Sequence, residues 1–194
     1  MMPYQNWNIF KKQNSMKYLK ILIYVSCASF FFMACNQPTN NKANVQDSAM
    51  VNNETNVKVV LKNGNVNKSF IEYTLLKDAL VSSNVANAQQ AASALSGSLA
   101  KIDGCDNTAS LARKIAVSSN IEEQRKNFIP LSSDFIALLK HTDIEQGTMY
   151  VQYCPMANSG EGAYWITGNQ EIKNPYYGEK MLNCGEVKES ITKK

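Results

Sequence analysis

Histidine is the scarcest reactive residue of this chain: there is one, His141, among 194 residues. A multi-histidine zinc centre and a histidine-based catalytic triad are therefore hard to assemble. At the end of a predicted helix, a lone histidine reads as a favourable C-terminal charge or a solvated side chain. Carboxylates are scattered singly apart from Glu122-Glu123. That pair, near a helix start, complements the helix dipole rather than forming an acid and base couple. A glycine-rich phosphate loop, a G-x-S-x-G elbow and an H-E-x-x-H helix are all missing, as is any internal repeat. These absences point away from an enzyme.

A surplus of charge is missing too, once the N-terminus is set aside. Met16-Lys17-Tyr18-Leu19-Lys20 forms a basic stretch ahead of the apolar run Ile21 to Ala34. At about 14 residues the run suits a signal-peptide core and is short for a membrane span. It ends in Phe32-Met33-Ala34-Cys35, followed at once by polar Asn36-Gln37-Pro38-Thr39. A small residue before Cys resembles the lipobox of bacterial lipoproteins, with Cys35 as the lipidated first residue; Phe32 and Met33 depart from its commonest residues. An ordinary signal peptide or an uncleaved anchor is the alternative. Residues 1–34 read as the signal peptide, with 1–15 an over-long start. Four of the 20 Lys+Arg lie there (Lys11, Lys12, Lys17, Lys20) and none of the 16 Asp+Glu, so the exported chain has 16 of each and is formally neutral. No nucleic-acid or polyanion surface is expected.

Residues 35–58 read as a lipidated cysteine and a flexible tether, rich in Asn, Gln, Thr and Ser. Residues 59–188 suffice for a single domain with one core, and 189–194 read as a tail. The expected fold is mainly α: an antiparallel three- or four-helix bundle, a small C-terminal β-hairpin, and a loop-rich Cys/Met segment. Helices are predicted over Ser69 to Ser82 (Phe70, Tyr73, Leu76 and Leu80 inward) and Val85 to Ile102 (Val85, Ala88, Ala92, Leu95 and Leu99 inward). A third covers Thr108 to Ser118, with Leu111 and Ile115 inward. A fourth runs from Ile121 towards His141, with a kink or break at Pro130 and Ser132 or Ser133 as a new cap. Thr148 to Tyr153 and Ala163 to Thr167 read as the hairpin strands, and Asn169 to Tyr177 as loop.

Of the five cysteines, Cys27 leaves with the signal peptide and Cys35 takes lipid, so Cys105, Cys154 and Cys184 remain. Cys154 and Cys184 each lie near a methionine, in Cys154-Pro155-Met156 and Met181-Leu182-Asn183-Cys184-Gly185. Thiolate and thioether are soft ligands that select Cu(I) and similar ions. An oxidising envelope equally permits a Cys154–Cys184 disulfide with Cys105 left over. Both readings stand, and they are compatible as redox alternatives of one site. Tyr150, Tyr153, Tyr164, Trp165, Tyr176 and Tyr177 crowd the same region, as core or as an apolar wall around a soft metal.

Tyr153-Cys154-Pro155-Met156, Asn174-Pro175-Tyr176-Tyr177-Gly178 and Met181-Leu182-x-Cys184-Gly185 resemble the C-terminal signature of a family catalogued as domain of unknown function 3347. Leu75 to Val81 and Gln124-Arg125-x-x-Phe128-x-x-Leu131-Ser132 resemble its helical half. The resemblance covers roughly residues 68 to 187. Members are bacterial envelope proteins, some of them small lipoproteins, and the module is also fused to periplasmic adaptors of heavy-metal efflux pumps. The Cys-Pro-Met and Cys-Gly pieces are also similar to heavy-metal-binding modules of copper transporters. Those continue Cys-Pro-Met-His, where this chain has Ala157, and no second Met follows Cys184-Gly185. The resemblance implies a bacterial envelope protein, with a heavy-metal efflux system as the first candidate partner. With the lipidated Cys35 and the softness of the sulfur ligands, the expected protein is a lipoprotein of the outer membrane facing the periplasm that binds Cu(I) through Cys154, Met156, Met181 and Cys184. The alternative is a structural or partner-binding lipoprotein with a Cys154–Cys184 disulfide.

Overall fold

The computed structural model describes residues 59–193. The expected signal peptide, Cys35 and tether lie outside the described residues. Within them the chain forms four helices and small antiparallel sheets, mainly α as expected.

Three of the four helix starts are written in the sequence as a capping asparagine. Helix α1 spans Gly64–Val81, five residues earlier than its apolar stripe alone implies. Asn63 supplies the reason: its side-chain oxygen accepts the Asn65 and Val66 N–H groups at 3.0 and 3.2 Å, relieving two of the unpaired donors of the first turn. Asn84 caps α2 (Val85–Leu99) through Asn87 N–H at 3.0 Å, and Asn120 caps α4 (Ile121–Lys140) through Glu122 and Glu123 N–H. Helix α3 runs Asp106–Val117, with buried Cys105 just before it. Phe70, Tyr73, Leu76 and Leu80 are buried as predicted, and so are Ala88, Ala92, Leu95 and Leu99. Val85 and Leu111 are only partly buried, so the inward face of α3 is built from Thr108, Ala109, Ala112 and Ile115.

Helix α4 passes through Pro130 without a break. Pro130 lies on an exposed position, where the carbonyl left without its N–H partner faces water rather than core. Ser132, expected as a cap, is instead fully buried and sits 2.6 Å from the Tyr73 hydroxyl. That hydroxyl also accepts the backbone N–H of Ile166 at 3.3 Å, tying α1, α4 and a strand together at one oxygen. The Tyr73 ring stacks on Phe128 and Phe135 at centroid distances of 5.3 and 4.6 Å. Burial pushes the Tyr73 phenol well above its ordinary pKa, so it stays protonated and keeps its donor.

The strands differ from a lone hairpin. Strand β1 (Val60–Leu61) pairs antiparallel with β2 (Ile144–Gln146), closing the start of the domain against the exit of α4. Strand β3 (Thr148–Cys154) lies between β4 (Ala163–Thr167) and β5 (Glu186–Thr192), all antiparallel. The expected tail at 189–194 therefore carries most of β5, with Thr148 opposite Thr192 and Tyr153 opposite Glu186. Its sequence, Glu186-Val187-Lys188-Glu189-Ser190-Ile191-Thr192, hides the strand because an edge strand presents charge to water.

Candidate functional site

The sheet and the segment returning from β4 to β5 bring two sulfurs together. Cys154 ends β3 opposite Ala163, which fixes its backbone in the ladder. Cys184 lies two residues before β5. Their Sγ atoms are 2.7 Å apart and neither is bonded. A disulfide bond is about 2.05 Å long. Two sulfurs sharing one ion stand roughly 4 Å apart, given metal–sulfur bonds of about 2.3 Å. The observed separation lies between these limits. Cys154 is fully buried, while Cys184 is partly exposed. Its thiol is pushed up by the hydrogen bond with Cys154 and then by burial, with the Met156 backbone N–H pulling the other way.

The backbone around both cysteines is held by side chains. Asn174, fully buried, donates from Nδ2 to the Cys184 carbonyl at 2.9 Å, and its Oδ1 accepts the Tyr176 N–H at 2.8 Å. Its own N–H reaches the Leu182 carbonyl at 2.8 Å. Tyr177 donates its hydroxyl to the Met156 carbonyl at 2.6 Å, fixing the turn after Cys154. The Cys184 N–H is taken by the Met181 carbonyl at 3.0 Å, from the short 3-10 turn Gly178–Met181. One five-residue motif, Asn174 to Gly178, thus grips the chain beside both thiols.

That motif is itself anchored in the helical half. Arg125 of α4 is only 5% exposed. Its Nε donates to the Pro175 carbonyl at 3.0 Å, and one terminal nitrogen donates to the Leu80 carbonyl and Ser83 hydroxyl at 2.9 Å each. The other terminal nitrogen pairs with Glu122 at 3.1 Å. A planar guanidinium serves acceptors from three segments at once, which an ammonium cannot. Gly178 packs against this fork at φ +57°, where an added Cβ would stand 2.7 Å from both Arg125 and the Val81 carbonyl. Phe128 and Trp165 hold the Tyr176 ring from two sides, at centroid distances of 5.8 and 5.9 Å. The Tyr176 hydroxyl reaches the Tyr164 carbonyl. Gly185, at φ +148°, lets the chain cross Trp165: a Cβ there would lie 2.8 Å from the indole and 2.9 Å from the Tyr153 carbonyl.

Of the four predicted ligands, the structure joins the two cysteines. Met156 is 53% exposed, and Met181 is partly buried at the end of its turn. Ala157, in the place of the copper modules' histidine, is buried and offers no ligand atom. Cys105 caps α3 and is separate; burial, then Asp106 and Asp134, push its thiol up. His141 ends α4 and is exposed. Among the described residues, no group of three His, Cys, Asp or Glu side chains is placed to hold an ion. Two thiolates suit a two-coordinate soft ion such as Cu(I), whereas a closed zinc site takes four nitrogen or sulfur ligands. The aromatic residues divide: Trp165 and Tyr176 are core, while Tyr153 lies tilted against half-exposed Tyr164 at a centroid distance of 4.5 Å.

Arg125 and Asn174 are the structural keys that a search for reactive groups passes over. The signals were present: an arginine inside the apolar stripe of α4, and an Asn-Pro ahead of two tyrosines. Both lie in the motifs that carry the family resemblance, and the structure shows those motifs in contact. No curated protein and no solved structure matches the chain. A family model does, over residues 70–147, the helical half up to the glycine before β3, and the Cys/Met segment lies beyond it. That model is of the family described as Protein of unknown function (DUF3347), the one its motifs resemble, and the match covers less than half of the chain.

Proposed function

We propose that the protein is a non-enzymatic envelope lipoprotein that holds one soft metal ion, Cu(I) first, between the thiolates of Cys154 and Cys184. The observation that supports this best is the pair of adjacent thiols on a frame built without any bond between them. Asn174 holds the Cys184 carbonyl and Tyr177 holds the turn after Cys154. A purely structural staple fastens its own two ends, while a binding site needs ends held apart from the ligand they await. Met156, half exposed with its backbone beside Cys184, and Met181, whose carbonyl takes the Cys184 N–H, are the thioethers proposed to join the ion. The lipid on Cys35 anchors the chain to the outer membrane facing the periplasm, and a heavy-metal efflux system is the partner that the family resemblance suggests.

A second reading rests on the 2.7 Å separation, which is shorter than a shared ion requires. In it Cys154 and Cys184 close as a disulfide, and the protein is a structural or partner-binding lipoprotein. Titration of the reduced chain with Cu(I), in competition with a colorimetric chelator, separates the two. The metal reading expects one equivalent bound, loss of binding in Cys154→Ser, and weaker binding in Met156→Leu with little change in stability. Failure of the reduced protein to compete for Cu(I), or unchanged binding in Cys154→Ser, would leave the disulfide reading standing.

A further inference from the structure

The two sulfurs are in contact but are not equivalent. Cys154 is fully buried at the end of the central strand β3, behind the return segment. Cys184 lies on that segment, is partly exposed, and has the half-exposed Met156 beside it. Tyr164, 42% exposed, stands on the neighbouring strand opposite Tyr153. A molecule approaching from solvent therefore meets Cys184 first and reaches Cys154 only through it.

We propose that the pair exchanges with an external disulfide in a fixed order, with Cys184 as the sulfur that meets the partner and Cys154 as the one that resolves the mixed disulfide. This rests on the reading that Cys154 and Cys184 form one site. In the oxidising direction the Cys184 thiolate attacks one sulfur of the partner's disulfide. A bond forms between Cys184 and that sulfur, and the partner's other sulfur leaves as a thiolate. The Cys154 thiolate, already against Cys184 Sγ, then attacks it; the internal disulfide forms and the partner's first sulfur leaves. Two thiol protons are released to solvent or to the departing thiolates, and two electrons pass to the partner, which becomes a dithiol. Reduction runs the same steps backwards, with the partner's thiolate attacking Cys184. The frame supports this order, because Asn174 keeps the Cys184 backbone beside Cys154 while the side chain carries its temporary partner. Closing the internal bond removes both thiolates, so the partner's redox state would set whether the soft-ion site exists.

The test uses the full chain, purified in detergent, reduced and then freed of reductant, as wild type, Cys154→Ser and Cys184→Ser. Each is exposed to oxidised glutathione, and peptide mapping by mass spectrometry reads Cys154 and Cys184 separately. Wild type is expected to end with the internal disulfide and no lasting adduct. Cys154→Ser should accumulate glutathione on Cys184, at least about tenfold faster than Cys184→Ser acquires it on Cys154, because access limits exchange. A second arm offers an oxidised thioredoxin-type protein, and the faster arm identifies a small or a protein-borne disulfide as the source. Equal labelling rates, or faster labelling of Cys154 in either arm, would overturn the order. If wild type forms no internal disulfide, the shared-site reading itself falls. Far-UV circular dichroism of both variants confirms that a slow reaction reports access in a folded chain.

Discussion

Replacing Arg125 by Ala should weaken the whole domain and loosen the dithiol frame together. The guanidinium is buried and serves acceptors on α4's own first turn, on the α1–α2 turn and on the Asn174–Gly178 motif. The Glu122 partner is 66% exposed, so solvent screens that pair and it adds little. Leu80's carbonyl keeps the Ser83 N–H at 3.2 Å and is not orphaned by the substitution. The main loss is the charged hydrogen bond to the Pro175 carbonyl, worth about 1.5–3 kcal/mol. Removing the packed aliphatic stem adds to it, giving roughly 3 kcal/mol in all. For a domain of this size that corresponds to a melting temperature lower by roughly 10 °C. Denaturant unfolding followed by circular dichroism measures the loss, and the rate of internal disulfide closure with oxidised glutathione should fall in parallel. Arg125→Lys should recover only part of both, since an ammonium lacks the planar fork. A loss below about 0.5 kcal/mol, the range of ordinary surface changes, would refute the claim that Arg125 anchors the motif.

Gly185→Ala should cost about 2–3 kcal/mol, because its Cβ would press on Trp165 and the Tyr153 carbonyl from a left-handed backbone; wild-type thermal stability would contradict this. Cys35→Ala should release the chain from membranes or leave it unprocessed, and a mature-length variant still partitioning with membranes in fractionation would sink the lipoprotein reading. Cu(I) affinity should climb between about pH 6 and pH 8, because binding must displace the proton that the Cys154 hydrogen bond holds on Cys184. Equal affinity at both ends would mean that the Cys184 thiol is not a ligand.

The helical half was legible because period and caps agree. Apolar residues at three- and four-residue steps mark α1, α2 and α4, and Asn63, Asn84 and Asn120 each sit at a helix start with a side chain that bonds the first turn. Pro130 misled because its effect depends on exposure: on the solvent side of α4 the missing donor is tolerated, and a sequence does not display that side directly. Strand β5 was hidden by its charges, and β1 by its length of two residues. Cys154 and Cys184, thirty positions apart, are adjacent in the structure, as both the shared-ion and the disulfide readings require. What spacing could not give is the framing. Asn174 and Tyr177 act on backbone carbonyls, and such contacts follow from tertiary position rather than from side-chain type. Met156 shows the converse: its place next to Cys154 in sequence suggests a ligand, yet half of its surface faces water.

The state of the Cys154 and Cys184 sulfur pair is decisive, and intact-mass measurement of the purified chain with peptide mapping reads it. Without reductant, a Cys154–Cys184 disulfide should be found and Cys105 should remain a free thiol. After reduction and addition of Cu(I), one copper should be retained on the peptide pair that carries these two cysteines. Separate alkylation of Cys154 and Cys184 in the unreduced protein, together with no copper retained after reduction, would contradict it.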